Sequence, residues 1–331
     1  MTQRIDRQHL LTVGIDVGGT NIRASVVDAE GEVLDSVQAP TPHSARALED
    51  AIDRSVRELA RRHPIAAVGL AVAGFISDDR STVLFAPHLP WQDAPVAQRL
   101  SARLGLPVIL EHDANAAGWA EYHFGAAAGG HTVVLIAIGT GIGAALLIDG
   151  QLYRGSHGVA PELGHLQVVP AGRACACGKR GCWERYCSGT ALADTAIELL
   201  ATDPVHSVLA RDVIHDPGSL TGRRVAGAAQ DGDPLAVRVM ADFARWLGLG
   251  LAFVSDIFDP DLVVIAGGVS SSAPLFLDEA REHYTSAVTG AGHRPLARLR
   301  TTQLGEAAGM IGAAELARAA AGAPVAGRSG R

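Results

Sequence analysis

One pattern constrains this fold more than any other feature, and it occurs twice. LLTVGID (10–16) and IRASVVD (22–28) read as strands joined by a glycine turn, VGGTN, and TVVLIAIG (132–139) runs through a second glycine turn into AALLIDG (144–150). The first copy continues with a third strand, EVLDSVQA (32–39), and then a helix over 44–62 with Ser44 as its N-cap and apolar residues at helical spacing. Strand AAVGLAVAG (66–74), a helix near 94–104, strand PVILEH (107–112) and a helix opening at Asp113 follow. After the second copy come Gln151–Tyr153, helices at 190–201 and 234–257, and the buried strand DLVVIAGG (261–268). A helix near 274–289, a strand near 298–304 and an Ala-rich helix at 306–320 complete the chain. Hairpins that lead into helix–strand units predict mixed α/β sheets. Their recurrence predicts two similar lobes facing a cleft.

Composition narrows the class. With 331 residues the chain is long enough for about two domains and a full core. Apolar residues make up 48% and charged residues 19%, which excludes wholesale disorder. The net charge of −7 argues against a general nucleic-acid binder. Lys179 is the sole lysine among 28 cations, which reads as the codon bias of a GC-rich genome. The longest apolar stretch, 133–148, is 16 residues with glycines in its middle; it is too short for a membrane helix and reads as strand, turn, strand. The N-terminus MTQRIDRQHLL has no apolar core of a signal peptide. Four cysteines are too few for a disulfide scaffold, and three of them crowd into eight residues, which points to metal. The expected compartment is the cytoplasm.

The chemistry-bearing strings are the glycine turns, one acidic helix start and the cysteines. DVGGT (16–20) puts backbone N–H groups where an anion can approach, and Asp16 can orient a metal-bound water or a phosphate; a plain Gly-Gly hairpin is the bland alternative. GTGIG (139–143) has similar chemistry; it is not followed by a helix, which disfavours a dinucleotide fold. Gly267-Gly268 ends a buried strand, either as a third ligand loop or as a tight strand-to-helix turn. Three such turns after three strands fit a nucleotide cleft. In EHDAN (111–115), Asp113 is either an N-cap or a general base for a hydroxyl. His165, Cys175, Cys177 and Cys182 form H-x9-C-x-C-x4-C, a closed set for structural zinc, with reactive free thiols as the alternative. Cys187 lies outside it and reads as a small buried hydrophobe.

Together these strings resemble the ROK family of sugar kinases and sugar-responsive repressors, over about residues 11–320. DVGGTNIR (16–23) and IGTGIGAAL (138–146) resemble its two phosphate motifs, GLAVAGF (69–75) and APHLPW (86–91) its sugar loops, and HDAN (112–115) the motif carrying its catalytic Asp. ELGH (162–165) with CACGKRGCWE (175–184) resembles the family signature and zinc site, and VVIAGGVS (263–270) the adenosine motif. The resemblance implies an actin/hexokinase-like (ribonuclease H-like) two-lobed ATPase fold with a structural zinc loop. It also implies ATP, Mg²⁺ and structural Zn²⁺ as cofactors, a small-molecule sugar as partner without nucleic acid or membrane, and a homodimer.

Carried onto this chain, the resemblance makes Asp113 the base for the sugar hydroxyl. Gly74, His88, His112, Glu162, His165 and Glu184 join it at the sugar, with His165 also ligating zinc alongside Cys175, Cys177 and Cys182. Asp16, Gly18, Gly19, Thr20, Gly139, Thr140 and Gly141 sit at the phosphates, and Gly267 and Gly268 at the adenosine. The implied lobes are 10–112 plus 306–320, and 113–305 with the zinc; 1–9 and 321–331 are flexible ends.

His88 and His112 depart from the family, whose glucose-specific members carry Asn at both places, near the C3–C4 edge of the sugar. Asn offers a donor and an acceptor together; neutral imidazole offers one of each on opposite edges. The expectation is therefore an ATP-dependent kinase for the 6-hydroxyl of a glucose-type sugar altered at C3, such as kanosamine (3-amino-3-deoxyglucose). An ordinary glucokinase is the alternative, and a non-catalytic sugar sensor is a weaker one. The family's repressors carry a helix-turn-helix before the first phosphate motif, and only 15 residues precede Asp16 here.

Overall fold

The computed structural model describes residues 10–322 except 203–205, 217 and 219. The chain divides into two compact units: one holds the chain through Ala128, Leu152–Ala160 and the chain from Glu306 on, and the other holds Gly129–Gln151 and Pro161–Gly305.

In the first unit, β1 (Leu11–Val17), β2 (Asn21–Val27) and β3 (Val33–Pro40) form an antiparallel meander. Helix α1 (Ala45–Ala60) opens on Ser44, whose hydroxyl accepts from the Ala47 amide, and buries Leu48, Ile52, Val56 and Leu59 along one stripe. The chain then returns as β4 (Ile65–Val72), parallel to β1. A small sheet of β5 (Phe75–Ile76), β6 (Val83–Phe85) and β7 (Gln92–Ala94) follows, then α2 (Val96–Leu104) and β8 (Val108–His112), parallel to β4. Helix α3 (Asp113–Phe124) lies against the C-terminal helix, Ala308–Ala321. That helix also rides on β1 and β4, so close that a Cβ on Gly14 or Gly69 would stand 1.9 Å from the carbonyl oxygens of Met310 and Ala313. The main sheet order is β3-β2-β1-β4-β8.

The second unit repeats this plan. Strands β9 (Thr132–Ile138) and β10 (Ile142–Ile148) form a hairpin extended by β11 (Gln151–Leu152). Helices α4 (Gly189–Thr202), α5 (Val208–His215), α6 (Gly222–Gln230) and α7 (Pro234–Phe258) follow. Helix α7 begins with Pro234 behind Asp233, whose carboxylate accepts from the Leu235 and Ala236 amides. Strand β12 (Leu262–Ala266) is parallel to β9; a 3₁₀ stretch (Gly268–Leu275), α8 (Leu277–Ala287) and β13 (Arg298–Thr301) complete the unit. The order is β11-β10-β9-β12-β13, the same arrangement as in the first unit. Each unit has its own core, one around Ile15, Ile52 and Leu70 and the other around Ile136, Leu247 and Phe276.

These are the mixed α/β sheets expected from the recurrence, in the actin/hexokinase-like architecture that the resemblance implies. The unit boundary differs from the expected lobes. Helix α3 and the stretch Leu152–Ala160 group with the first unit rather than the second, because the small-residue face of α3 packs on the C-terminal helix, bringing Ala116 onto Gly312. Of the expected flexible ends, 1–9 and 323–331 lie outside the described residues; Ala321 ends the C-terminal helix, and Gly322 follows it in a turn. No helix among the described residues is long and apolar enough to cross a membrane.

Candidate active site and metal centre

In the first unit the β1–β2 turn is held open from below. Gly18 donates its amide to the Asn21 carbonyl, and its own carbonyl accepts from the Thr41 hydroxyl at 2.6 Å. Gly19 and Thr20 are exposed at the tip, and a Cβ on Gly19 would meet the His88 Cβ at 3.5 Å. His88 is exposed on the β6–β7 connection, so the structure places it beside the β1–β2 turn.

Asp16 is near the end of β1. Burial pushes its carboxyl up to about 6; the charge of Asp113 adds to this, Arg23 opposes it and Glu306 adds to it again. The two acids singled out in the first unit therefore share one electrostatic environment. Glu306 is also ion-paired with Arg23 at 3.1 Å.

Asp113 is the first residue of α3, and His112 occupies the cap position without making a side-chain capping bond. Asp113 Oδ1 accepts from the Ala114 amide at 2.7 Å and stands 3.2 Å from His112 Nε2. Its side chain is 45% exposed, and Oδ2 accepts no hydrogen bond among the described residues. The helix-start amide therefore occupies only one of the two carboxylate oxygens. Gly74 serves packing: a Cβ there would stand 2.5 Å from the Phe85 carbonyl oxygen.

In the second unit the β9–β10 turn opens onto a groove of about 630 Å³ lined by Gly139, Thr140, Gly189, Thr190, Thr221, Arg223, Gly268 and Ser271. Gly189 donates to the Gly139 carbonyl at 2.8 Å and the Thr190 hydroxyl to the Thr140 carbonyl at 2.9 Å, which fixes the turn against the start of α4. Gly268 lines the groove. Gly267 (φ +80°) packs beneath it, where a Cβ would stand 2.5 Å from the Ile138 carbonyl oxygen. Of the glycine pair, then, one residue faces the groove and the other makes the turn. The sequence motifs did not single out Thr190, Thr221, Arg223 and Ser271; for the first three the signal was a hydroxyl or cation next to a glycine, as in Gly189-Thr190 and Gly222-Arg223, and Ser271 had none.

Gly141 faces Glu184, whose Oε2 is 3.4 Å from the Ile142 amide nitrogen. The other oxygen of Glu184 is 3.1 Å from Cys175 Sγ and 3.5 Å from His165 Nδ1. His165 Nδ1 lies 3.6 Å from Cys175 Sγ, while Nε2 faces Glu162 at 3.8 Å. One ring thus joins the sulfur cluster to the candidate sugar-binding acids. The four ligand atoms of His165, Cys175, Cys177 and Cys182 lie within 4.8 Å of one another, with Cys177 and Cys182 sulfurs 3.6 Å apart. Tetrahedral zinc with bonds of about 2.3 Å to sulfur needs sulfurs roughly 3.7 Å apart, so the donor set fits. A tight turn shapes it: the Cys175 amide donates to the Lys179 carbonyl, and the ammonium of Lys179 donates to the His165 carbonyl at 2.7 Å. Cys187 is fully buried in the apolar core, as expected.

Comparison with known proteins places the chain among sugar kinases. The curated glucokinase of Streptomyces coelicolor is 43% identical over 93% of this chain and 98% of its own length. A ROK family glucokinase from Streptomyces griseus, solved with glucose and AMPPNP, superposes with a TM-score of 0.82 at 41% identity over 93% of this chain and 99% of that one. A ROK hexokinase from Thermus thermophilus gives a TM-score of 0.76 at 33% identity, over 94% and 99% of the two chains. The family model matches residues 12–320, and the chain belongs to the ROK family.

Proposed function

We propose that the chain is a sugar kinase that transfers the γ-phosphoryl of Mg·ATP to the 6-hydroxyl of a glucose-type pyranose. The observation that carries this reading is Asp113, half-exposed at the head of α3, with one carboxylate oxygen held by the Ala114 amide and 3.2 Å from His112 Nε2 and the other without a donor among the described residues. The second oxygen takes the hydroxyl proton as the sugar oxygen bonds to phosphorus and the bond to the β-phosphate oxygen breaks. Amides of the two glycine turns receive the phosphates, and Asp16 orients the magnesium hydration shell. Magnesium supplies neutralisation of the phosphate charge. Glu162, His165 and Glu184 hold sugar hydroxyls. The His165, Cys175, Cys177 and Cys182 set holds zinc, which braces the loop bearing the two acids. The groove beside Gly139 and Gly268 takes the adenosine. The net charge of −7 argues against nucleic acid as a partner, and the same reading takes the protein as a cytoplasmic homodimer.

The relatives support glucose as acceptor. A specific observation favours a C3-amino sugar instead. His88 and His112 stand where glucose-specific members of the family carry Asn, and His112 Nε2 lies 3.2 Å from Asp113 Oδ1; a ring nitrogen that carries a lone pair offers an acceptor to an ammonium, without the paired donor and acceptor of an Asn amide.

The test is a phosphorylation screen of glucose, mannose, glucosamine, kanosamine and N-acetylmannosamine with ATP. Turnover of none of them overturns the kinase reading. A higher kcat/KM for glucose than for kanosamine ends the C3-amino reading, and the double variant His88→Asn, His112→Asn is expected to move preference toward glucose.

A further inference from the structure

The residue before the His112-Asp113 pair is a glutamate almost wholly shut away from solvent. Glu111 is 1% exposed at the end of β8. Its Oε1 accepts from the His112 backbone amide at 3.0 Å, from Asn115 Nδ2 at 3.1 Å and from Arg154 Nε at 3.1 Å. Its Oε2 is 2.9 Å from Arg80 Nε in an ion pair. Arg154 is itself 8% exposed and spends its other nitrogens on main-chain carbonyls, Nη1 on Asp78 at 2.7 Å and Nη2 on Ser77 at 3.0 Å. Arg80 is held at φ +59°, in the left-handed region, and its carbonyl accepts from the Leu110 amide.

We propose that Glu111 and Arg154 are positioning residues for the phosphoryl transfer, a buried clamp that sets where Asp113 stands. This rests on the kinase reading above. Asp113 lies between two groups pinned to the same anion: the His112 amide before it and the Asn115 side chain after it. The clamp therefore fixes the strand end and the first turn of α3 together, and the residue between them has no freedom to shift without breaking a charge-assisted bond. A buried ion cluster is weak evidence for stability, since packed apolar side chains do as well. Its distinctive property here is direction, because Arg154 ties the anion to the Ser77–Asp78 backbone on the far side. Displacing a general base by about an ångström costs on the order of 100-fold in rate.

The experiment compares Arg154→Ala, Arg154→Lys and Glu111→Gln with the wild-type chain and with Asp113→Asn, measuring kcat, KM for ATP and for the hexose, and sugar binding by calorimetry. The expected result is a fall in kcat of about 10–100-fold in Arg154→Ala and Glu111→Gln, with both KM values and the sugar affinity within about threefold of wild type. Arg154→Lys falls between, and guanidinium chloride at millimolar concentration restores part of the Arg154→Ala rate. If the alanine variant does not fold, the lysine variant carries the same split. Unchanged kcat in a wild-type background that is active overturns the clamp alone, as does a loss of rate matched by lost sugar binding and no guanidinium rescue. A wild-type chain inactive on every hexose overturns the kinase reading and the clamp with it.

Discussion

At the scale of single residues, two aspartates carry opposite expectations. Asp113→Asn removes the proton acceptor while keeping shape and the Ala114 bond, so turnover falls by about 10²–10⁴-fold and sugar affinity stays near wild type. Retained turnover in a stopped assay would remove Asp113 as base. Asp16 is a stability question. Its carboxyl is raised from 3.8 to about 6, so the folded state binds this proton more tightly than the unfolded chain does. Its contribution to stability is full below pH 3.8 and is lost as pH rises through about 6, where the buried carboxylate must ionise beside Asp113. Asp16→Asn is neutral throughout. Without ligands it is therefore expected to melt a few degrees above wild type at pH 8, corresponding to at most about 3 kcal/mol and less as solvent reaches the group, with the gap closing toward pH 5. Thermal melts across pH 5–8 check this; a gap that is constant or widens in acid contradicts it. At this scale the identities were legible in sequence and the partners were not. Asp16, Asp113 and His112 stood out by motif, but the approach of His112 Nε2 to 3.2 Å from Asp113 depends on a rotamer that no local string encodes. Glu111 and Arg154 meet from 43 residues apart.

Among the elements, those with a full period were legible and those without one were not. Helix α1 announced itself through Ser44 and its apolar stripe, and α7 through Asp233-Pro234. The strands β5, β6 and β7 have two or three residues each, too few for any alternation to register, and α6 (GRRVAGAAQ) is written in Gly, Ala and Arg with a thin apolar stripe. The C-terminal helix was legible as a helix, and what it touches was not. Its bearing on β4 is set by Gly69, a residue that reads in sequence merely as part of a strand. Gly69→Ala drives a methyl group to 1.9 Å from the Ala313 carbonyl oxygen, backbone that cannot step aside without moving the helix. The expected cost is about 2–3 kcal/mol in urea unfolding. A variant within about 0.5 kcal/mol of wild type would mean the helix is free to lift.

For the whole molecule, the recurrence read from the sequence corresponds to two five-stranded sheets with one shared order, each closing its own core. The likeness lies in topology, because a hairpin followed by parallel strands leaves the hairpin turn and the parallel strand ends at the same end of its sheet. Both glycine turns, singled out in the sequence for their exposed backbone amides, thus lie at equivalent ends of their sheets. What differs is the His/Cys loop, which belongs wholly to the second unit: His165, Cys175, Cys177 and Cys182 converge between β11 and α4, and among the described residues no comparable donor set lies in the first unit. Metal removal is therefore expected to act on one unit. After purification with bound zinc, chelation under reducing conditions should release one equivalent and increase amide exchange across 163–187 and at the β9–β10 turn, where Glu184 meets Ile142. Amides of β1, β4 and β8 should keep their protection, because their core around Ile15 and Leu70 contains no residue of the metal loop. Loss of protection in those three strands on the same timescale would show that the metal supports the whole chain instead of its own loop, and no change in either region would show that the four donors are not a structural site.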